Sequence, residues 1–161
     1  SGWELTTGPG ARLEIRFTDD TSLTLGENTL MIVDSFVYRP LLLSGDVSLG
    51  FVKGAFLVVS GGIARLPGKP LKVTTPVATI GIRGTTFWGG SLEALLDVMV
   101  LDGQVVVTNK AGSVELAPGE GTSLPSVGSR SFPVIPLPPP PPTRWAPERV
   151  ARAVATVSFG E

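Results

Sequence analysis

Apolar and polar residues alternate along most of the chain up to Leu124. In "ARLEIRF" the residues Leu13, Ile15 and Phe17 fall on one face, which is the period-two signature of a half-buried strand. "SLTL", "NTLMIVDSF", "AFLVV", "LKVTT", "VATIGI", "DVMVL", "QVVVT", "SVEL" and "TSL" repeat that signature. Turn-forming residues fall between them: "TDDT", Gly61-Gly62, Asp102-Gly103, Asn109 to Gly112 and Pro118-Gly119. Only Ser91 to Leu96 breaks the pattern, as a loop or a short turn of helix. Many short strands at regular spacing predict an all-β fold.

The pattern also echoes itself. "SLTLGENTLMI" (Ser22 to Ile32) resembles "SVELAPGEGTSL" (Ser113 to Leu124), each a strand, a Gly-Glu-x-Thr corner and a second strand. Glycine corners suit a chain that winds rather than one that only zigzags. The expected architecture is a coiled β fold, either solenoid-like or a two-sheet β roll or sandwich.

Beyond Leu124 the character changes from glycine-rich to proline-rich. Residues 1–124 form the β domain in this reading, 125–144 a proline-rich strap and 145–161 a short amphipathic helix. The run Pro138 to Pro142 favours an extended polyproline II spacer. Pro147 suits a first helical position and Glu148 the positive end of the helix dipole, while Val150, Val154 and Val157 make one apolar stripe. So short a helix is marginal alone in water. Residues Trp145 to Phe159 are expected to cover an open end or edge of the β region, in cis or in a tail-swapped dimer.

Composition narrows the chemistry. The 161 residues carry a net charge of −1, so nothing points to nucleic acid. With no cysteine and no histidine, thiolate metal sites, a cysteine nucleophile and the usual general base are all missing. No apolar run is long enough for a membrane helix. No cofactor or metal site is expected: Asp19-Asp20 is an ordinary solvated turn pair, with no loop of repeated oxygen ligands to hold calcium.

One motif stands apart. In "TTPVATIGIRGTTF" a charged Arg83 lies between Ile82 and Gly84 on a strand. A structural role predicts an inward-facing Arg83 in a bidentate pair with Asp34, Asp97 or Asp102. Gly84 is expected at positive φ or against another backbone.

The succession of Thr75, Pro76, Ala78, Arg83, Gly84, Thr85 and Phe87, then Gly103, Val105 and Val107, then Gly119 and Glu120, resembles the FecR-type domain of bacteria from about Thr7 to Leu124. The resemblance implies a periplasmic or extracellular all-β module. In signalling members that module follows a cytoplasmic anti-sigma segment and one membrane helix, and takes its signal from an outer-membrane transporter. Neither segment is in this sequence, so the expectation is a stand-alone exported domain, non-enzymatic and engaging a protein partner in envelope signalling or assembly. A rival reading is a carbohydrate- or peptidoglycan-binding module stacking sugars on Trp3, Trp88 and Trp145. A weaker one is a hydrolase using two carboxylates.

Overall fold

A computed structural model describes residues 2–68, 71–124 and 137–159. The first part of the proline-rich strap, with Gly128, lies outside the described residues. The order of elements is β1 (Trp3–Thr6), β2 (Leu13–Arg16), β3 (Ser22–Leu25), β4 (Leu30–Arg39), a 3-10 turn (Pro40–Leu42) and β5 (Ser44–Lys53). There follow β6 (Ala55–Val59), a 3-10 turn (Gly62–Arg65), β7 (Leu71–Thr74), β8 (Thr79–Gly90), β9 (Leu96–Asn109), β10 (Gly112–Leu116) and β11 (Glu120–Leu124). The two-residue β12 (Thr143–Arg144) and α1 (Pro147–Thr156) come last. Among the described residues the fold is all-β with one short α-helix, and Leu92 to Leu95, in the stretch expected as a loop or a turn of helix, form bends.

The strands belong to one sheet, in the order β1-β4-β5-β7-β8-β6-β3-β2, with β9 along the far side of β8. Every pairing is antiparallel except β5 with β7. The long β8–β9 hairpin is the spine. The first half of β8 pairs with β7 and its second half with β6. Likewise β9 gives its first half to β11 and its second to β10. The sheet thus has two halves that share the spine, and it folds over so that both face one core.

Three observations define the fold-over. Leu23, Leu25, Phe56 and Val58 of one half join Val47, Leu49, Leu71 and Ile80 of the other in a single buried cluster. Phe17, just after β2 at one end of the strand order, stacks on Phe36 of β4 near the other end, with ring centroids 4.8 Å apart. The strap bridges what the spine separates: Asn109 Nδ2 donates to the Leu137 carbonyl at 2.8 Å, and Thr122 Oγ1 to the Pro140 carbonyl at 2.8 Å.

The two echoed corners are the crossings between halves. One leads from β3 to β4, the other from β10 to β11, and neither pair of strands is hydrogen-bonded together. Positive φ occurs at Asn28 in the first (52°) and Gly119 in the second (85°). The second corner is tied reciprocally, since Ala117 N–H donates to Glu120 Oε1 and Glu120 N–H to the Ala117 carbonyl, each at 2.9 Å. A chain that must change half-sheets at each corner winds into a roll; the left-handed angle falls on Gly119 in one corner but on Asn28 in the other, where Gly26 instead makes room for the Thr156 carbonyl.

The C-terminal residues do two jobs. β12 pairs with β11 and covers part of its free edge. The helix and the Trp145 before it lie on the outer face: Trp145, Ala153 and Val157 bury against Ala55 of β6 and against Trp88 and Met99 of the β8–β9 spine. That is why Trp88 and Met99, pointing away from the main core, are nevertheless buried. The helix docks in cis, across the strand ends at Gly26, Ala55, Asp97 and Ser123.

Candidate interaction surfaces

The sequence motif builds a corner. Thr75 and Pro76 make the turn before β8, where Thr75 Oγ1 donates to the Ala78 carbonyl at 2.7 Å and accepts from Ala78 N–H at 3.0 Å. Phe87 enters the core edge-on to Phe56, at 5.6 Å between centroids. Between them the β8–β9 register slips from Arg83 to Thr86. Gly84 sits there at φ +27°, and facing it Gly103 adopts φ +83°. A Cβ on Gly103 would collide with the Gly84 carbonyl, whereas one on Gly84 would meet nothing. The close approach therefore lies at Gly103, and Gly84 serves the backbone angle alone. Buried Thr85 places its hydroxyl between the carbonyls of Arg83 and Gln104, the latter 2.6 Å away, and its N–H donates to Ser60 Oγ at 2.7 Å.

Arg83 points outward from this corner and is exposed. Among the described residues it has no carboxylate within ion-pair distance, and the inward pair with Asp34, Asp97 or Asp102 does not exist. The cause is strand alternation: Ile82 goes to the core, so its neighbour must face solvent.

Asp97 pairs instead with Arg149 of α1. Its side chain is fully buried, and Oδ2 accepts from the N–H groups of Leu92, Glu93 and Ala94 at 2.9, 2.8 and 3.0 Å. Oδ1 accepts from Ser123 Oγ and from Arg149 Nη2, the latter at 3.1 Å. Burial pushes this carboxyl up; the bond from Ser123 and the three backbone donors outweigh it and hold the carboxyl below its ordinary value. Arg149 also donates to Ser123 Oγ at 2.7 Å, meets Glu93 at 2.8 Å and lies 3.9 Å over the Trp145 ring. At the other end of α1, Trp88 Nε1 donates to Thr156 Oγ1 at 2.9 Å and Arg12 Nε to the Ser158 carbonyl at 3.2 Å. Gly26 lets the Thr156 carbonyl come close, because a Cβ there would strike it. The sheet is thus shaped to receive this helix.

The tryptophans divide. Trp88 and Trp145 pack on each other, with centroids 6.2 Å apart, and are 0% and 5% exposed. They cannot stack on a sugar, which removes two of the three residues of that reading; Trp3 alone is open, at 71%. Asp19, expected in a solvated turn pair, is instead buried and accepts from Thr21 and from Ile63 N–H at 2.9 Å. It ties a turn.

A third surface is unforeseen in the sequence reading. β1 pairs only with Leu30–Val33 of β4, and β7 only with Val47–Gly50 of β5. Val37–Arg39 and Ser44–Asp46 therefore form a two-stranded arm whose strands, among the described residues, pair only with each other. Its tip carries Leu41, Leu42 and Leu43, which are 97%, 70% and 66% exposed. Leu43 closes the tip at φ 50° with its N–H donating to the Pro40 carbonyl at 3.1 Å. The signal available in the sequence was the run "PLLLSG", apolar where a hairpin turn is ordinarily polar.

The chain belongs to the FecR protein family, whose model matches residues 4–106. Among solved structures it is similar to two crystal structures of a candidate anti-sigma factor from Parabacteroides distasonis. They share 20% and 22% identity with TM-scores of 0.62 and 0.60, over 74% of this chain and 53% of theirs. The chain thus spans about half the length of those proteins, and the likeness is one of fold. No curated protein sequence matches it. Among the described residues, no helix is long and apolar enough to cross a membrane.

Proposed function

We propose that this chain is a non-catalytic, exported protein-interaction module of bacterial envelope signalling or assembly, and that it engages its partner through the leucine tip of the β4–β5 arm. The family and the fold shared with a candidate anti-sigma factor support the signalling context. The arm supports the interaction. Consecutive leucines on a convex tip lose the hydrophobic effect unless something covers them, and large exposed apolar groups that are not scattered singly mark contact sites. The tip is presented at a cost, because Leu43 holds a left-handed backbone that non-glycine residues disfavour by about 1–2 kcal/mol. A compartment and a retained partner test this. The protein fractionates with the periplasm or medium of its host, and retention of its partner is lost in Leu41→Asn/Leu42→Asn while the fold melts unchanged. A cytoplasmic protein, or a partner held equally by both forms, contradicts it.

A further inference from the structure

The Arg83 corner holds a second site, separate from the arm. Arg83 of β8 stands opposite Gln104 of β9. Two residues along, on the same face, Gly81 stands opposite Val106, and Val106 opposite Glu115 of β10. Those rows are about 7 Å apart, the spacing of alternate residues on a strand. Because Gly81 has no side chain, the face is hollowed there. The result is a cleft of about 230 Å³ lined by Gly81, Arg83, Gln104, Val106 and Glu115.

We propose that this cleft binds a carboxylate that carries a small apolar group. The guanidinium of Arg83 is a planar fork of donors matched to a carboxylate, and among the described residues no carboxylate occupies it. The Gln104 amide beside it adds an N–H donor. Val106 and the bare backbone of Gly81 form an apolar floor for the group next to the carboxylate. Glu115 closes the side away from Arg83 with negative charge, which repels a second anionic group and accepts an N–H donor. The corner that presents Arg83 is tied across the hairpin: the Thr85 hydroxyl donates to the Gln104 carbonyl at 2.6 Å and accepts from Gln104 N–H at 3.3 Å, and Gly84 and Gly103 hold the left-handed angles that the bulge needs. A bulge of this kind re-aims a side chain while fixing its backbone, and such bulges recur beside functional sites. An arginine needed only for solubility requires none of this.

Two sources supply such a carboxylate, the free end of a peptide chain and a small organic acid. The test titrates the full chain with N-acetyl-trialanine, with its C-terminal amide twin and with acetate, following backbone amides and the Arg83 Nε–H by NMR. The acid peptide is expected to shift Arg83, Gly81 and Val106 with millimolar affinity, roughly tenfold tighter than the amide twin. Arg83→Gln abolishes the shifts, and Glu115→Gln tightens binding several-fold by removing the like charge. Peptide binding tighter than acetate assigns the site to chain ends; equal binding assigns it to small acids. Equal shifts from acid and amide, shifts that survive Arg83→Gln, or none up to about 20 mM peptide would overturn the proposal. Arg83 is exposed and makes no internal pair, so its variant folds and a negative result is interpretable.

Discussion

Arg149 and Asp97 lie 52 residues apart in sequence and 3.1 Å apart in space, and their contact joins the helix to the sheet. Asp97 would keep its bonds from Ser123 and three backbone N–H groups, so Arg149→Ala is expected to cost about 1.5–2 kcal/mol, the loss of one charged hydrogen bond and of the packing on Trp145. Glu93 is about half exposed, so Glu93→Gln should cost about 0.5 kcal/mol or less. Chemical denaturation of the two variants separates these values.

The same carboxyl sets a pH dependence. Asp97 is held below its ordinary value when folded, so the unfolded chain takes up its proton first as pH falls. Its contribution is complete above the unfolded carboxylate value of about 3.9 and is lost as pH falls through the lower folded value. The stability gap between the parent and Asp97→Asn should be constant from pH 7 to about 5 and narrow below roughly pH 4. A gap that widens on acidification contradicts the assignment.

Trp145 anchors the helix by area rather than by its polar atom. Its indole N–H is buried and finds no acceptor among the described residues. Trp145→Phe should therefore cost far less than Trp145→Ala, which removes a buried aromatic side chain and loses about 3–5 kcal/mol. Equal losses would place the anchoring in a hydrogen bond instead.

At the motif corner the glycines rank in an unexpected order. Gly103→Ala meets both a positive φ and the Gly84 carbonyl, while Gly84→Ala meets only the angle. About 1 kcal/mol is expected for Gly84→Ala and clearly more for Gly103→Ala. Arg83→Ala should melt within about 0.5 kcal/mol of the parent, as a surface substitution does.

Much of the fold was legible because burial follows strand alternation. Leu23 and Leu25, or Val105 and Val107, announce their strands and their inward face. The winding was legible too, through the glycine corners at Gly26-Glu27 and Gly119-Glu120. The direction of Arg83 was not read correctly, although alternation from Ile82 already contains it, because a charged residue among glycines suggests an interior role. Asp97 was one of three candidate partners for the wrong arginine. Its true partner lies on a helix whose docking face depends on long-range packing that no local pattern encodes. β5 alternates at Val47, Leu49 and Phe51, but its arm was hidden by the leucine run, whose exposure is a property of which strands stop pairing first.

The most direct test of the interaction reading is site-specific photocrosslinking in cells of the native host, with the reactive group at Leu42 on the tip and, as control, at exposed Glu14 on β2. Position 42 is expected to give one discrete adduct with a partner protein, absent from position 14 and lost when Leu41 is changed to Asn. Adducts of equal yield and identity from both positions, or none from position 42, would contradict a partner bound at the arm.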